Sequence, residues 1–83
     1  MKYLVLTIRK PQFDPQFVPA HYAFLDDLRE GGLLERAGPF TDRSGGAYVL
    51  RAASLDEATQ LARQDPLHVH DCSDVSVGEW DAK

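Results

Sequence analysis

The chain has 83 residues, with thirteen acidic against nine basic, a net charge of −4 and a 43% apolar content. That length makes one domain spanning 1–83, and the apolar content is ordinary for a folded core, which argues against disorder. The acidic balance, with Lys and Arg scattered along the chain, excludes a nucleic-acid footprint, and no apolar run reaches the ~20 residues of a membrane span.

The elements read in order as follows. "YLVLTI" near the N-terminus is β-rich and bounded by charge, which predicts a strand. "KPQFDPQFVP" carries three prolines and reads as a loop, with Phe13 and Phe17 available as aromatic surface. Pro19 suits a first helical turn and opens "PAHYAFLDDLREGG", whose stripe runs through Phe24, Leu25 and Leu28 before Gly31–Gly32 ends it. "LLERAGPF" and "GAYVLRAA" predict two strands joined by the hairpin "TDRSGG". "SLDEATQLARQD" has Ser54 and Glu57 at capping-box spacing, so a second helix is predicted, with Leu55, Ala58, Leu61 and Ala62 inward and Asp65 closing it. After "DPLHVHDC", a turn, "VSVGEW" predicts the last strand.

This β-α-β-β-α-β order is the ferredoxin-like α+β arrangement, a four-stranded antiparallel sheet with two helices on one face. The first strand has Leu4, Leu6 and Ile8 on one side and Tyr3, Val5 and Thr7 on the other, so neither face is polar. Helices cover only one face. A second copy of the chain is the expected cover for the other, giving a homodimer of the dimeric α/β-barrel kind through its sheet faces.

Direction alternates along such a fold, so the start of the first helix, the hairpin tip, the end of the second helix and the start of the last strand share one rim. His21, Arg43, Ser44, Asp65, His68 and His70 all fall there. Phe24, Leu25 and Leu28 follow His21 at i+3, i+4 and i+7, which turns it inward. Asp65 follows Leu55, Ala58 and Ala62 at helical spacing and leans inward too. A carboxylate facing an imidazole can set its tautomer and support its cationic form; it can equally tie two helix ends together. His68 and His70 would face one way on a strand and suit a metal, but beside Pro66 in a turn the spacing carries little, and no metal site is expected. Cys72, the only cysteine, permits no internal disulfide and no thiolate zinc cluster. It is expected to pack as a small buried hydrophobe in a protein of the cytoplasm.

Across nearly the whole chain, "YLVLTI", "AHYAFLDDLREGGLLERAGPF" and "GGAYVLRAASLDEATQLARQDP" resemble the YciI-like proteins. The resemblance implies the dimeric ferredoxin-like barrel and a His–Asp active-site pair at His21 and Asp65. It also implies kinship with small barrel enzymes, similar to muconolactone isomerase, that act on aromatic-breakdown intermediates, some of which eliminate halide from chlorinated hydroxylated rings. A hairpin serine common in that family would fall at Gly46, with Ser44 the nearest hydroxyl. Two functions remain open. One is a cofactor-independent lyase or isomerase in which His21 moves a proton, Asp65 orients it, and Phe13, Arg43, Ser44 and His68 contact a small oxygenated substrate. The other is a non-catalytic dimeric ligand-binding or interaction module.

Overall fold

Alternation along the first strand divides its side chains between the two faces of the sheet. In the computed structural model, which describes residues 1–83, Lys2–Arg9 forms β1. Tyr3, Val5 and Thr7 are buried, whereas Leu4 and Leu6 are half-buried and Ile8 is 43% exposed. The remaining elements are α1 (Val18–Glu30), β2 (Leu34–Pro39), β3 (Gly45–Arg51), α2 (Leu55–Ala62), α3 (Pro66–Val69) and β4 (Ser73–Glu79). The sheet order is β2-β3-β1-β4, with every neighbouring pair antiparallel. A bulge between Leu34 and Arg36 interrupts the β2–β3 register. No helix is long and apolar enough to cross a membrane.

Local chemistry explains the helix ends. Pro19 sits in the first turn of α1, where its missing N–H costs nothing. At the other end Gly32 takes φ 76, and Leu33 N donates to Leu28 O, closing the helix. Ser54 Oγ accepts from Glu57 N at 3.1 Å and starts α2. The predicted proline loop contains one 3-10 turn, Pro15–Phe17, capped by the Asp14 carboxylate.

Both long helices pack on the face of Tyr3, Val5 and Thr7. Leu25 and Leu28 of α1 and Ala62 of α2 join Val5, Leu34, Tyr48 and Leu50 of the sheet in one buried cluster. Full burial of each large apolar side chain is worth about 1.5–3 kcal/mol, so this cluster anchors the helix layer. The opposite face is apolar and only partly covered, with Leu4 and Leu6 half-buried and Val49 8% exposed. There Leu4 faces Val49 and Leu6 faces Ala47 across the strands, with Trp80, 46% exposed, at the edge.

Two expectations about the second helix need correction. It ends at Ala62, three residues before Asp65, and Leu55 lies outside the core at 49% exposure. Pro66 is the reason that the helix does not reach Asp65. A residue before proline is driven out of the helical region, and Asp65 has φ −59 and ψ 127. The chain therefore breaks and restarts as α3, a one-turn helix inside the stretch expected to be a plain turn.

Candidate active site

His21 lies in the first turn of α1, on the same stripe as the buried Leu25 and Leu28, with its side chain 13% exposed. Asp65 reaches it from across the rim. As the N-cap of α3, Asp65 accepts the Leu67 backbone N–H on Oδ1 at 2.9 Å. The same carboxylate meets His21 Nδ1 at 2.8 and 2.9 Å through its two oxygens. Tyr48, on β3, donates its hydroxyl to Oδ2 at 3.1 Å. Asp65 has no exposed surface at all.

This network sets the imidazole tautomer. A buried carboxylate that already takes a backbone N–H and a phenol O–H is an acceptor, so Nδ1 carries a hydrogen, and in the neutral ring the lone pair is on Nε2. Burial, then the charge of Asp65, pushes the Tyr48 phenol above its ordinary value. Tyr48 therefore stays protonated at neutral pH and holds Asp65 as a donor.

His21 lines a cavity of about 60 Å³, walled by Thr7, Phe13, Leu25, Tyr48, Leu67 and Ser73 among others. A single water needs roughly 10–15 Å³ measured this way, so the space suits several waters or one small molecule. Part of its floor is bare backbone from Gly38, Gly45 and Gly46. A Cβ at Gly45 would stand 1.8 Å from Thr7 O, and one at Gly46 would stand 2.7 Å from Gly38 O. The hairpin serine implied at Gly46 therefore has no room without a backbone shift.

Arg9 stands at the same cavity, its guanidinium 4.2 Å from the centre of the Phe13 ring. The loop carrying Phe13 is tied down by Lys10 and Gln12, which both bond the Asp71 carboxylate, and by Phe17, which stacks on His70 at 3.9 Å. Ser73, 3% exposed, also lines the cavity, and its Oγ has no partner within the chain.

The structure brings His21 and Asp65 together and places Phe13 at the cavity that His21 lines. Arg43 and Ser44 sit on the exposed hairpin tip and do not line the cavity. Their backbone is shaped by Asp42, whose carboxylate accepts from Ser44 N at 2.9 Å. His68 faces a separate hollow with Leu55, Arg63 and Val75. It points there because α3 is a helix, on which neighbouring residues diverge. No three His, Cys, Asp or Glu side chains come together in a metal-holding arrangement. Cys72 is buried, with 1% exposure.

Thr7, Tyr48, Leu67 and Ser73 escaped the sequence reading as cavity residues. Strand alternation could have found the first two, since Thr7 shares a face with Tyr3 and Val5, and Tyr48 shares one with Leu50. Ser73 precedes Val75, where the last strand was predicted to begin, so no pleat was available to orient it.

Fold and site together define a ferredoxin-like α+β domain with a buried His–Asp pair opening on a small cavity at one rim. The chain belongs to the YCII-related domain family, which it matches over residues 1–81. It is 43% identical over 81 residues to the uncharacterised protein YjpA of Bacillus subtilis strain 168, covering 98% of this chain and 95% of that one. Among solved structures, it resembles the 5-chloro-2-hydroxyhydroquinone dehydrochlorinase TftG of Burkholderia phenoliruptrix AC1100, determined with 2,5-dihydroxybenzoquinone. That match has a TM-score of 0.79 at 20% identity and covers 100% of this chain and 96% of the other. Muconolactone isomerase follows with a TM-score of 0.64 at 18% identity, covering 100% and 91%. At these identities the likeness establishes the fold.

Proposed function

We propose that this protein is a cofactor-independent enzyme of the lyase or isomerase type, working as a homodimer in the cytoplasm. In this reading His21 Nε2 removes a proton from a small oxygenated substrate, and Asp65 holds the ring and supports the imidazolium that results. In an elimination the freed electron pair forms a double bond as the leaving group departs with its own pair. In an isomerisation the same nitrogen returns the proton to another carbon. One base serves both reactions.

The observation that carries this reading is the Asp65 carboxylate. It is wholly buried and accepts from Leu67 and Tyr48 while holding Nδ1 of His21, so the other ring nitrogen is left for the cavity. The names of the two fold relatives, a dehydrochlorinase and an isomerase, support proton-transfer chemistry of the same kind. The apolar face on which Leu4 and Leu6 are half-buried and Trp80 is 46% exposed supports pairing with a second copy. The single buried cysteine fits a reducing compartment.

The test is a pair of variants. His21→Asn should melt near the wild-type temperature yet lose turnover of hydroxylated-ring substrates, and Asp65→Asn should lose less, since it orients rather than takes the proton. If His21→Asn retains full turnover, the proton-transfer reading fails. If the wild type binds such compounds without changing them, the chain is instead a ligand-binding module.

A further inference from the structure

Buried hydroxyls are nearly always hydrogen-bonded, and an unmade bond to one costs stability unless something supplies a partner. Ser73 breaks that rule in an informative place. It is 3% exposed, its Oγ lacks a partner, and it lines the cavity that His21 lines. The residue opposite it across the β1–β4 ladder is Arg9, which lines the same cavity and forms no ion pair with any carboxylate of the chain. Phe13 braces the Arg9 guanidinium from one side. Of the other hydroxyls lining it, Thr7 Oγ1 is committed to Gly46 O at 3.3 Å and Tyr48 to Asp65, while Tyr22 is 49% exposed to solvent.

The cavity that His21 lines is therefore also lined by one buried, unused hydroxyl and one unpaired cation, which are neighbours across the β1–β4 ladder. We propose that Ser73 and Arg9 form an oxyanion subsite, in which Ser73 Oγ donates to an ionised oxygen of the ligand and Arg9 balances its charge. The ligand is then a small organic anion, a carboxylate or an ionised enol or phenol. With about 60 Å³ available, only its charged end and the adjoining carbons enter. This rests on the proton-transfer reading for its purpose: the anionic end is anchored at β1 and β4 while the acidic proton faces His21. The subsite can nevertheless be tested without turnover.

Amide chemical-shift titrations with acetate, with acetamide as the neutral control, and with 2,5-dihydroxybenzoquinone, ionised at neutral pH, read binding directly. The two anions separate a carboxylate ligand from an enolate one. The wild type should bind at least one anion and leave acetamide unbound. Ser73→Ala should weaken that anion at least about ten-fold, the size of one hydrogen bond to a charged acceptor. Its melting temperature should stay level or rise, because an unpaired buried hydroxyl has been removed. A residue with only a packing role would show neither change in affinity. Arg9→Gln should weaken whichever anion the wild type binds and flatten the dependence on salt. Equal affinity in Ser73→Ala, binding of acetamide as tight as acetate, or no binding of either anion overturns the subsite. Anion binding that survives in His21→Asn while turnover is lost supports both readings; survival with no turnover in the wild type keeps the subsite and removes the catalytic one.

Discussion

Asp65 does three jobs with one carboxylate: it starts α3, fixes His21 and receives Tyr48. Removing it should therefore be worse than removing any one of its donors. Asp65→Ala leaves a buried phenol, a buried backbone N–H and an imidazole N–H without an acceptor, which should cost about 3 kcal/mol or more. Tyr48→Phe keeps the ring's packing and forfeits one charge-assisted bond, about 1.5–3 kcal/mol. Chemical denaturation of the two variants should return them in that order. A reversed order would mean that the phenol, rather than the carboxylate, organises the rim. His21 was legible because it sits on the apolar stripe of α1, whereas Asp65 was reached through a helical spacing the chain does not keep, and only its place at the same rim held. The cap was harder to see, although the Asp-Pro pair itself forbade the helix from running on to Asp65.

The segment between β1 and α1 is held to the body of the protein by polar and aromatic contacts rather than by a core. Lys10 bonds Asp71, Gln12 bonds the same carboxylate, and Phe17 stacks on His70. The hydrogen bond from Lys10, then that from Gln12, holds the Asp71 carboxyl below its ordinary value, and the same contact raises the Lys10 ammonium. A depressed carboxyl stabilises above its unfolded value, and the contribution is lost as pH falls through the folded one. A raised ammonium stabilises below its unfolded value and is lost only as pH rises through its higher folded one. The tether is therefore complete near neutral pH and loosens below about 3.9, the ordinary Asp value. Protection from amide exchange in residues 10–17, relative to the free-chain rate at each pH, should fall in acid before that of the sheet does, and Asp71→Asn should reproduce this at neutral pH. Asn tolerates the left-handed backbone at this position, φ 56, so the substitution removes charge and little else. Unchanged exchange in Asp71→Asn would assign the loop's position to Phe17 and His70 alone. Composition marked this stretch as irregular through its prolines, but its anchor lies 61 residues further along, beyond the reach of any local pattern.

For the molecule as a whole, the two faces of β1 have different fates. Tyr3 and Val5 are fully buried, while Leu4 and Leu6 on the other face are half-buried and Ile8 is exposed. Sedimentation at micromolar concentration should give twice the chain mass, and Leu6→Glu should shift the population toward monomer by placing a charge at the centre of the contact. A folded wild-type monomer under those conditions would show that the second face is stable in water. The two faces were legible from alternation alone, because a strand's period of two does not depend on what packs against it. Which face the helices would choose was not, since both carry apolar residues of similar size.

The direction of β1 and β4 has a practical consequence. β1 runs toward the cavity, ending at Arg9, and β4 runs away from it, starting at Ser73. Trp80 N meets Lys2 O at 2.9 Å at the far end of the sheet. Both ends of the described chain therefore emerge side by side, a full strand length behind the mouth of the site. An immobilised or fused copy, joined through either end, keeps that mouth turned outward. The fold behaves as a plug with its attachment at the back, and a linker added there reaches solvent without passing His21.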